Sequence, residues 1–355
     1  MKILVLTRYS RLGASSRLRF YQYLPYLREA GWVITTEPLL DDKYIADLYN
    51  KRPKDYKRIL ITYLHRLRVL TASFRYDILW IEKELFPMLP SWFEEFIAAL
   101  KTPYVVDFDD AIFHNYDLHP NWLVRRCLGN KIDRVMKNAA LVVAGNEYLA
   151  NRARRAGAKR VVIIPTVIDI YKYAPLYKRN DIFTIGWIGS PATSKYLELI
   201  KLPLIKFQES NRFKLVLVGA GEFNVDEFSV ENRLWSEDTE VKDIQGFDVG
   251  IMPLPDEPWE RGKCGYKLIQ YMACGKPVIA SPVGVNKDIV ENGVNGYLVR
   301  NEDEWVEALK TLYNYPDLAL SIGEQNRAKV EENYCIQVTA PRLDYCLKSV
   351  VSNRG

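Results

Sequence analysis

Short apolar runs bounded by polar or turn residues alternate along the whole chain with longer stretches of helical spacing. Residues 3–6, 32–36, 77–81, 104–107, 141–144 and 161–164 read as strands of the first half, and 183–187, 215–218 and 249–252 as strands of the second. Such runs suit strands buried on both faces of a parallel sheet. Residues 19–30 and 91–100 carry helical spacing, and Gly31 closes the first of these helices. Residues 8–17 read as a loop containing Gly13, Ser15 and Ser16. This alternation predicts an α/β fold on parallel sheets. Pro165, Pro175 and the polar residues 178–181 punctuate the middle and mark an expected domain boundary.

The densest pattern is residues 262–284, GKCGYKLIQYMACGKPVIASPVG. Apolar or aromatic residues at 268, 269, 271, 272 and 273 predict a helix over 266–274, which Gly275 ends. Residues 277–280 then read as a short buried strand. Lys263, Gly265 and Lys267 put positive charge beside the unpaired N–H groups of a helix start, and phosphate is the anion such a place suits.

This stretch resembles the C-terminal signature of family 4 glycosyltransferases, which have the GT-B fold. The resemblance implies an α/β chain of two Rossmann-like domains facing each other across a cleft. On it we expect an acceptor-side domain over 1–168, a nucleotide-sugar domain over 181–325, and a helical segment, 326–355, packing back on the first domain. In that signature one Glu holds the donor ribose and another, eight residues earlier, touches the donor sugar. Here those positions are Gln270 and Gly262. A neutral amide can still hold a diol, at a cost of about 1–2 kcal/mol relative to a carboxylate.

The remaining site candidates lie on loops that follow strands. Gly13, with Arg17 behind it, resembles the family's N-terminal glycine loop, which reaches the donor diphosphate; small residues let backbone approach phosphate, and Arg grips it. Gly189 and Ser190 stand where the family has Gly-Arg, and Lys195 fits a diphosphate lysine. Arg261, Lys263 or Lys267 are candidates for the charge missing at Ser190, with Gly265 and Tyr266 at the helix start. Residues 107–110, Asp-Phe-Asp-Asp, have two readings. In the other large glycosyltransferase fold, GT-A, an Asp-x-Asp binds a divalent metal; on the acceptor side of GT-B, Asp109 and Asp110, with His114 behind them, orient or deprotonate an acceptor hydroxyl.

Composition narrows the rest. At 355 residues, 48% hydrophobic and 26% charged, the chain is long enough for two globular domains. No run approaches the roughly 18 apolar residues a membrane span needs, and the start, MKILVLTRYS, reads as a first strand rather than a signal peptide. Cysteines 127, 264, 274, 335 and 346 show no paired spacing, so a disulfide framework and a zinc site are not expected, and a cytoplasmic location is. Charge is uneven: residues 1–168 hold 27 Lys and Arg against 17 Asp and Glu, and the remainder 22 against 27. Lys51, Arg52, Lys54, Lys57, Arg58, Arg66 and Arg68 crowd residues 51–68, beside Ile59, Leu60, Ile61, Leu64 and Leu67. That segment is either a solvated helix face or a basic amphipathic surface for anionic lipid at the inner face of a membrane; nucleic acid is the weaker partner.

The resemblance therefore implies a retaining, metal-independent hexosyltransferase with no cofactor beyond its donor. UDP is the default nucleotide, and the acceptor a hydroxyl of a cell-envelope or lipid-linked glycan, as in polysaccharide biosynthesis. The alternative is a non-catalytic nucleotide-sugar binder or a partner subunit of another transferase. A nucleotide-sugar epimerase on the same two-domain plan fits the 271–280 run less well.

Overall fold

A computed structural model describes residues 1–49, 52–100 and 102–352; Lys51 of the basic run lies outside them. The chain forms two compact units, Met1–Thr166 with Thr339–Gly355, and Val167–Val338.

The first unit is built on six parallel strands: β1 (Lys2–Leu6), β2 (Val33–Thr36), β3 (Ile78–Glu82), β4 (Tyr104–Phe108), β5 (Leu141–Ala144) and β6 (Val161–Ile163), in the order β2-β1-β3-β4-β5-β6. Ile3, Leu4, Val5 and Leu6 are all fully buried, as are Ile78–Ile81, so helices cover both faces and the strands need no polar alternation. Chain order reverses between β1 and β3, and the carboxyl ends of these strands are where an open α/β sheet presents a ligand crevice.

The expected loop over 8–17 is in part the helix Ala14–Arg19, and the expected helix over 19–30 is a 3-10 turn, Tyr21–Tyr23, followed by Leu24–Glu29. Pro25 explains the break: lacking an N–H, it sits in the first turn of a new helix and cannot continue an old one.

The basic segment is the helix Tyr56–Thr71, opened by the Asp55 carboxylate accepting from Arg58 N at 3.0 Å. Its inner face holds the buried Arg66, whose guanidinium donates to the carbonyls of Thr7 and Glu37, both at 2.8 Å. Its outer face leaves Tyr56, Leu60, Ile61 and Leu64 exposed beside Lys57 and Arg68. Trp92 and Phe96, one helical turn apart in Trp92–Ala99, are exposed as well.

The second unit repeats the plan with β7 (Phe183–Ile188), β8 (Phe213–Val218), β9 (Ser229–Arg233), β10 (Val249–Met252), β11 (Val278–Ala280) and β12 (Tyr297–Leu298), all parallel, in the order β12-β11-β10-β7-β8-β9. One face packs Leu268, Tyr271 and Met272 against Val216, Val218 and Phe247; the other packs Trp187, Leu215 and Leu217 against Phe207 and Leu309. Gly186 and Gly250 permit the close approach of two aromatic rings, since a Cβ there would fall 2.0 Å from Phe247 and 2.3 Å from Tyr271. Here the order reverses between β7 and β10.

Candidate functional site

The reversal point of the second sheet is tied to the helix Tyr266–Ala273 by one buried phenol. Tyr271 Oη accepts from Ile188 N at 3.0 Å and donates to the Ile251 carbonyl at 3.4 Å, bridging the ends of β7 and β10. Gly189 follows β7 directly, its N–H bonded to the Val218 carbonyl at 3.0 Å. A Cβ at 189 would lie 2.3 Å from the Trp187 ring and 2.9 Å from Lys267 Cε, so the missing side chain is what lets the lysine stem pass. Lys267 Nζ sits 5.1 Å from the centroid of the Trp187 indole, a cation–π distance that holds an ammonium without neutralising it. Gly265, with φ of 65°, turns the chain into the helix. Sequence positions 76 residues apart thus converge: Gly189 and Ser190 on one side, Gly265, Tyr266 and Lys267 on the other.

Other expected residues sit differently. Lys195 is exposed, its Nζ 5.2 Å from the Tyr196 ring. Arg261 pairs with Asp256 in its own loop at 2.7 Å, on the surface. Lys263 is half-buried and Gly262 buried. Beside them Glu260, 4% exposed, accepts from the Tyr196 hydroxyl with Oε1, while Oε2 is buried with no hydrogen-bond partner among the described residues. Gln270 lies inside a buried network: its Nε2 donates to Tyr173 Oη at 2.9 Å and to Glu240 Oε2 at 3.4 Å.

Residues 183–315 match the family described as glycosyl transferases group 1. The second unit carries a group 1 glycosyltransferase domain. An uncharacterized glycosyltransferase of Methanocaldococcus jannaschii is 25% identical over 203 residues, 54% of each chain. The capsular polysaccharide biosynthesis glycosyltransferase CapM of Staphylococcus aureus is 29% identical over 174 residues, 46% of each. The matches span about half the length of these relatives. Anabaena HepE, solved in complex with UDP-glucose, superposes with a TM-score of 0.69 at 16% identity over 98% of this chain and 100% of its own. Together with the two parallel sheets, this likeness assigns the GT-B fold and sets aside the GT-A reading of residues 107–110.

The glycosyltransferase domain does not contain the Asp cluster, Gly13 or Arg17, which belong to the first unit. Gly13 is buried against Tyr9, and Arg17 reaches back to the carbonyls of Arg11 and Leu12 at 3.4 and 3.5 Å. Near the carboxyl end of β4, Asp107 grips Arg19 with both oxygens, 2.7 Å from Nε and 3.1 Å from Nη2. Burial pushes Asp107 up to about 6, and Arg19 offsets only part of that rise. Asp109 pairs with Lys83 Nζ at 2.7 Å, and Asp110 stands 3.5 Å from the same ammonium. Burial would raise Asp109, but the Lys83 charge outweighs it and holds the carboxyl below its ordinary value. His114 turns elsewhere, between Asp117 Oδ1 at 2.8 Å and Tyr148 Oη at 2.9 Å.

Sequence reasoning missed the charged triplet Glu82-Lys83-Glu84 that ends β3. Glu82 accepts from Ser16 Oγ at 2.6 Å and from Arg8 N at 2.8 Å. Glu84 receives Lys131 and, at 2.7 Å, the Tyr116 hydroxyl. Lys83 has a φ of 63°, a conformation that costs a non-glycine residue about 1–3 kcal/mol. Three charges closing a fully apolar strand were the available signal.

Proposed function

We propose that the chain is a retaining, metal-independent glycosyltransferase that takes a hexose from a nucleotide sugar, UDP-linked by default, to an acceptor hydroxyl. The observation that carries this reading is the convergence of Gly189, Lys267 and the Gly265–Tyr266 helix start at the carboxyl ends of β7 and β10, where an α/β sheet receives phosphate. The UDP-glucose in HepE supports the nucleotide.

In this reading Lys267, the backbone N–H groups at 265 and 266, and Gly189 hold the diphosphate, with Ser190 donating a hydroxyl. Lys195 and Lys263 are further candidate cations, whereas Arg261 is paired with Asp256. The bond between the anomeric carbon and the diphosphate oxygen breaks, and the acceptor oxygen bonds to that carbon on the same face. The acceptor's proton passes to the departing diphosphate, whose growing negative charge the fixed cations stabilise. Arg17 shapes the loop that carries Gly13 in the first unit. Asp109, kept ionised by Lys83, suits orienting an acceptor hydroxyl better than taking its proton, and Asp110 shares that task. Both Asp107 and Asp109 are engaged by protein cations, which supports chemistry without a metal at residues 107–110.

For the acceptor we propose a cell-envelope or lipid-linked glycan. CapM acts in capsular polysaccharide biosynthesis by its name, and the exposed Tyr56, Leu60, Ile61 and Leu64 beside Lys57 and Arg68 form a basic amphipathic face suited to anionic lipid. No helix among the described residues is long and apolar enough to cross a membrane, so contact would be at a surface, the inner face in this reading.

Turnover of UDP-, GDP- and ADP-sugars in EDTA, with and without membrane extract as acceptor, tests the proposal. One donor should be consumed, with the anomeric configuration kept. Loss of activity in EDTA would end the metal-independent mechanism. Nucleotide binding with no transfer to any acceptor would favour a non-catalytic binder or partner subunit, the reading that Gln270, Gly262 and Ser190 keep alive. Gly189→Ala should lower both donor affinity and melting temperature, because the new methyl would press on the buried Trp187 ring as well as on the Lys267 stem. Calorimetry with UDP checks this.

A further inference from the structure

Gln270 is 3% exposed, and everything it donates goes inward. Tyr173, also buried, receives Gln270 Nε2 at 2.9 Å, donates to Glu240 Oε1 at 2.7 Å and lies 3.3 Å from Tyr266 Oη. Glu240, 8% exposed, accepts in addition from Trp235 Nε1 at 3.0 Å and from Gln270 Nε2 at 3.4 Å. A carboxylate offers acceptors only, so the end of the amide that faces it must be the NH₂. The opposite end, Oε1, makes no hydrogen bond to the described residues.

We propose that Glu240 carries the negative charge that the family's signature places at position 270, and that it acts as a positioning residue, turning the Gln270 amide so that Oε1 accepts from the vicinal hydroxyls of the nucleotide ribose. The inference rests on the donor site proposed above. It explains why an amide occupies this position. A carboxylate at 270 would face Glu240 within about 3.5 Å in a buried setting, and two like charges that close cannot both ionise. One charge is therefore allowed in this network, and here it sits on the helix Glu240–Gln245 rather than on Tyr266–Ala273. Tyr173 couples the two positions, since it donates to one and accepts from the other.

The test is a charge swap read by calorimetric titration with UDP, with melting temperature measured alongside. Glu240→Gln releases the amide and should weaken UDP by about tenfold, the scale of one lost hydrogen bond in a buried site. Gln270→Glu alone should weaken it at least as much at neutral pH. The double variant, with the charge moved to 270, should return to within about threefold of wild type. A double variant as weak as the two single losses combined overturns the inference, as do single variants that bind UDP like wild type. Loss of affinity that tracks melting temperature in all three variants also overturns it, because the network would then be merely structural. If Lys267→Ala weakens UDP while Glu240→Gln does not, this inference fails and the donor site stands. If wild type binds no nucleotide, both fail.

Discussion

Lys267→Ala is expected to weaken UDP binding by about 10- to 100-fold, the range for removing one charged hydrogen-bond partner. It should lower kcat/KM by at least as much, because the lysine meets a diphosphate whose charge grows as the sugar leaves. The geometry makes this the largest single effect in the domain. The stem is fixed between Gly189 and the Trp187 ring, so the ammonium arrives at the end of β7 with little conformational freedom left to lose. Lys195 is on the surface with its Nζ over the Tyr196 ring, so Lys195→Ala should cost several-fold less. Steady-state kinetics on both variants, beside UDP titrations, separate the two. Equal losses, or the larger loss at Lys195, would reverse this ranking.

Asp109→Asn should lower the unfolding free energy of the first unit by about 3 kcal/mol, because it takes the nearer carboxylate from a buried ammonium and leaves it only Asp110, at 3.5 Å. Lys83 is held in a left-handed conformation with its Nζ 2.7 Å from Asp109, and both side chains are largely buried. The pH dependence follows from the lowered carboxyl of Asp109. A folded value below the unfolded one contributes stability at neutral pH. That contribution is lost as pH falls below the unfolded value of about 4 and through the folded one. Wild type should therefore lose an acid-labile increment that the variant lacks, seen in denaturant midpoints between pH 7 and pH 3. UDP affinity should be unchanged, since the glycosyltransferase domain is a separate unit. Turnover should fall if Asp109 orients the acceptor.

Strands with both faces buried announced themselves. Leu141–Ala144 and Val249–Met252 have the bounds that their apolar runs predict, and the helix Tyr266–Ala273 falls one residue short of its expected end. What escaped was structure without an apolar signature. β9, Ser229–Arg233, is a polar edge strand, and β12 has only Tyr297 and Leu298. The break in the first helix was encoded by Pro25 but hidden under continuous helical spacing. At the site, the motif around Gly265 and the loop after β7 were legible because local turn chemistry writes itself into neighbouring residues. Partners brought from afar were not. Glu240 reaches Gln270 across thirty positions, Lys83 reaches Asp109 across twenty-six, and Arg19 reaches Asp107 across eighty-eight. Nothing in the local spacing of either partner records such pairs, although the charges that end β3 and β4 showed that something must neutralise them.

The most direct test of the central claim is calorimetric titration of the full chain with UDP in EDTA, repeated with GDP and ADP. The account predicts one binding site in the second unit, selective for one nucleotide, with affinity unaffected by the chelator and sharply reduced by Lys267→Ala. Absence of heat with all three nucleotides at millimolar concentration, or binding that appears only when a divalent metal is restored, would contradict it.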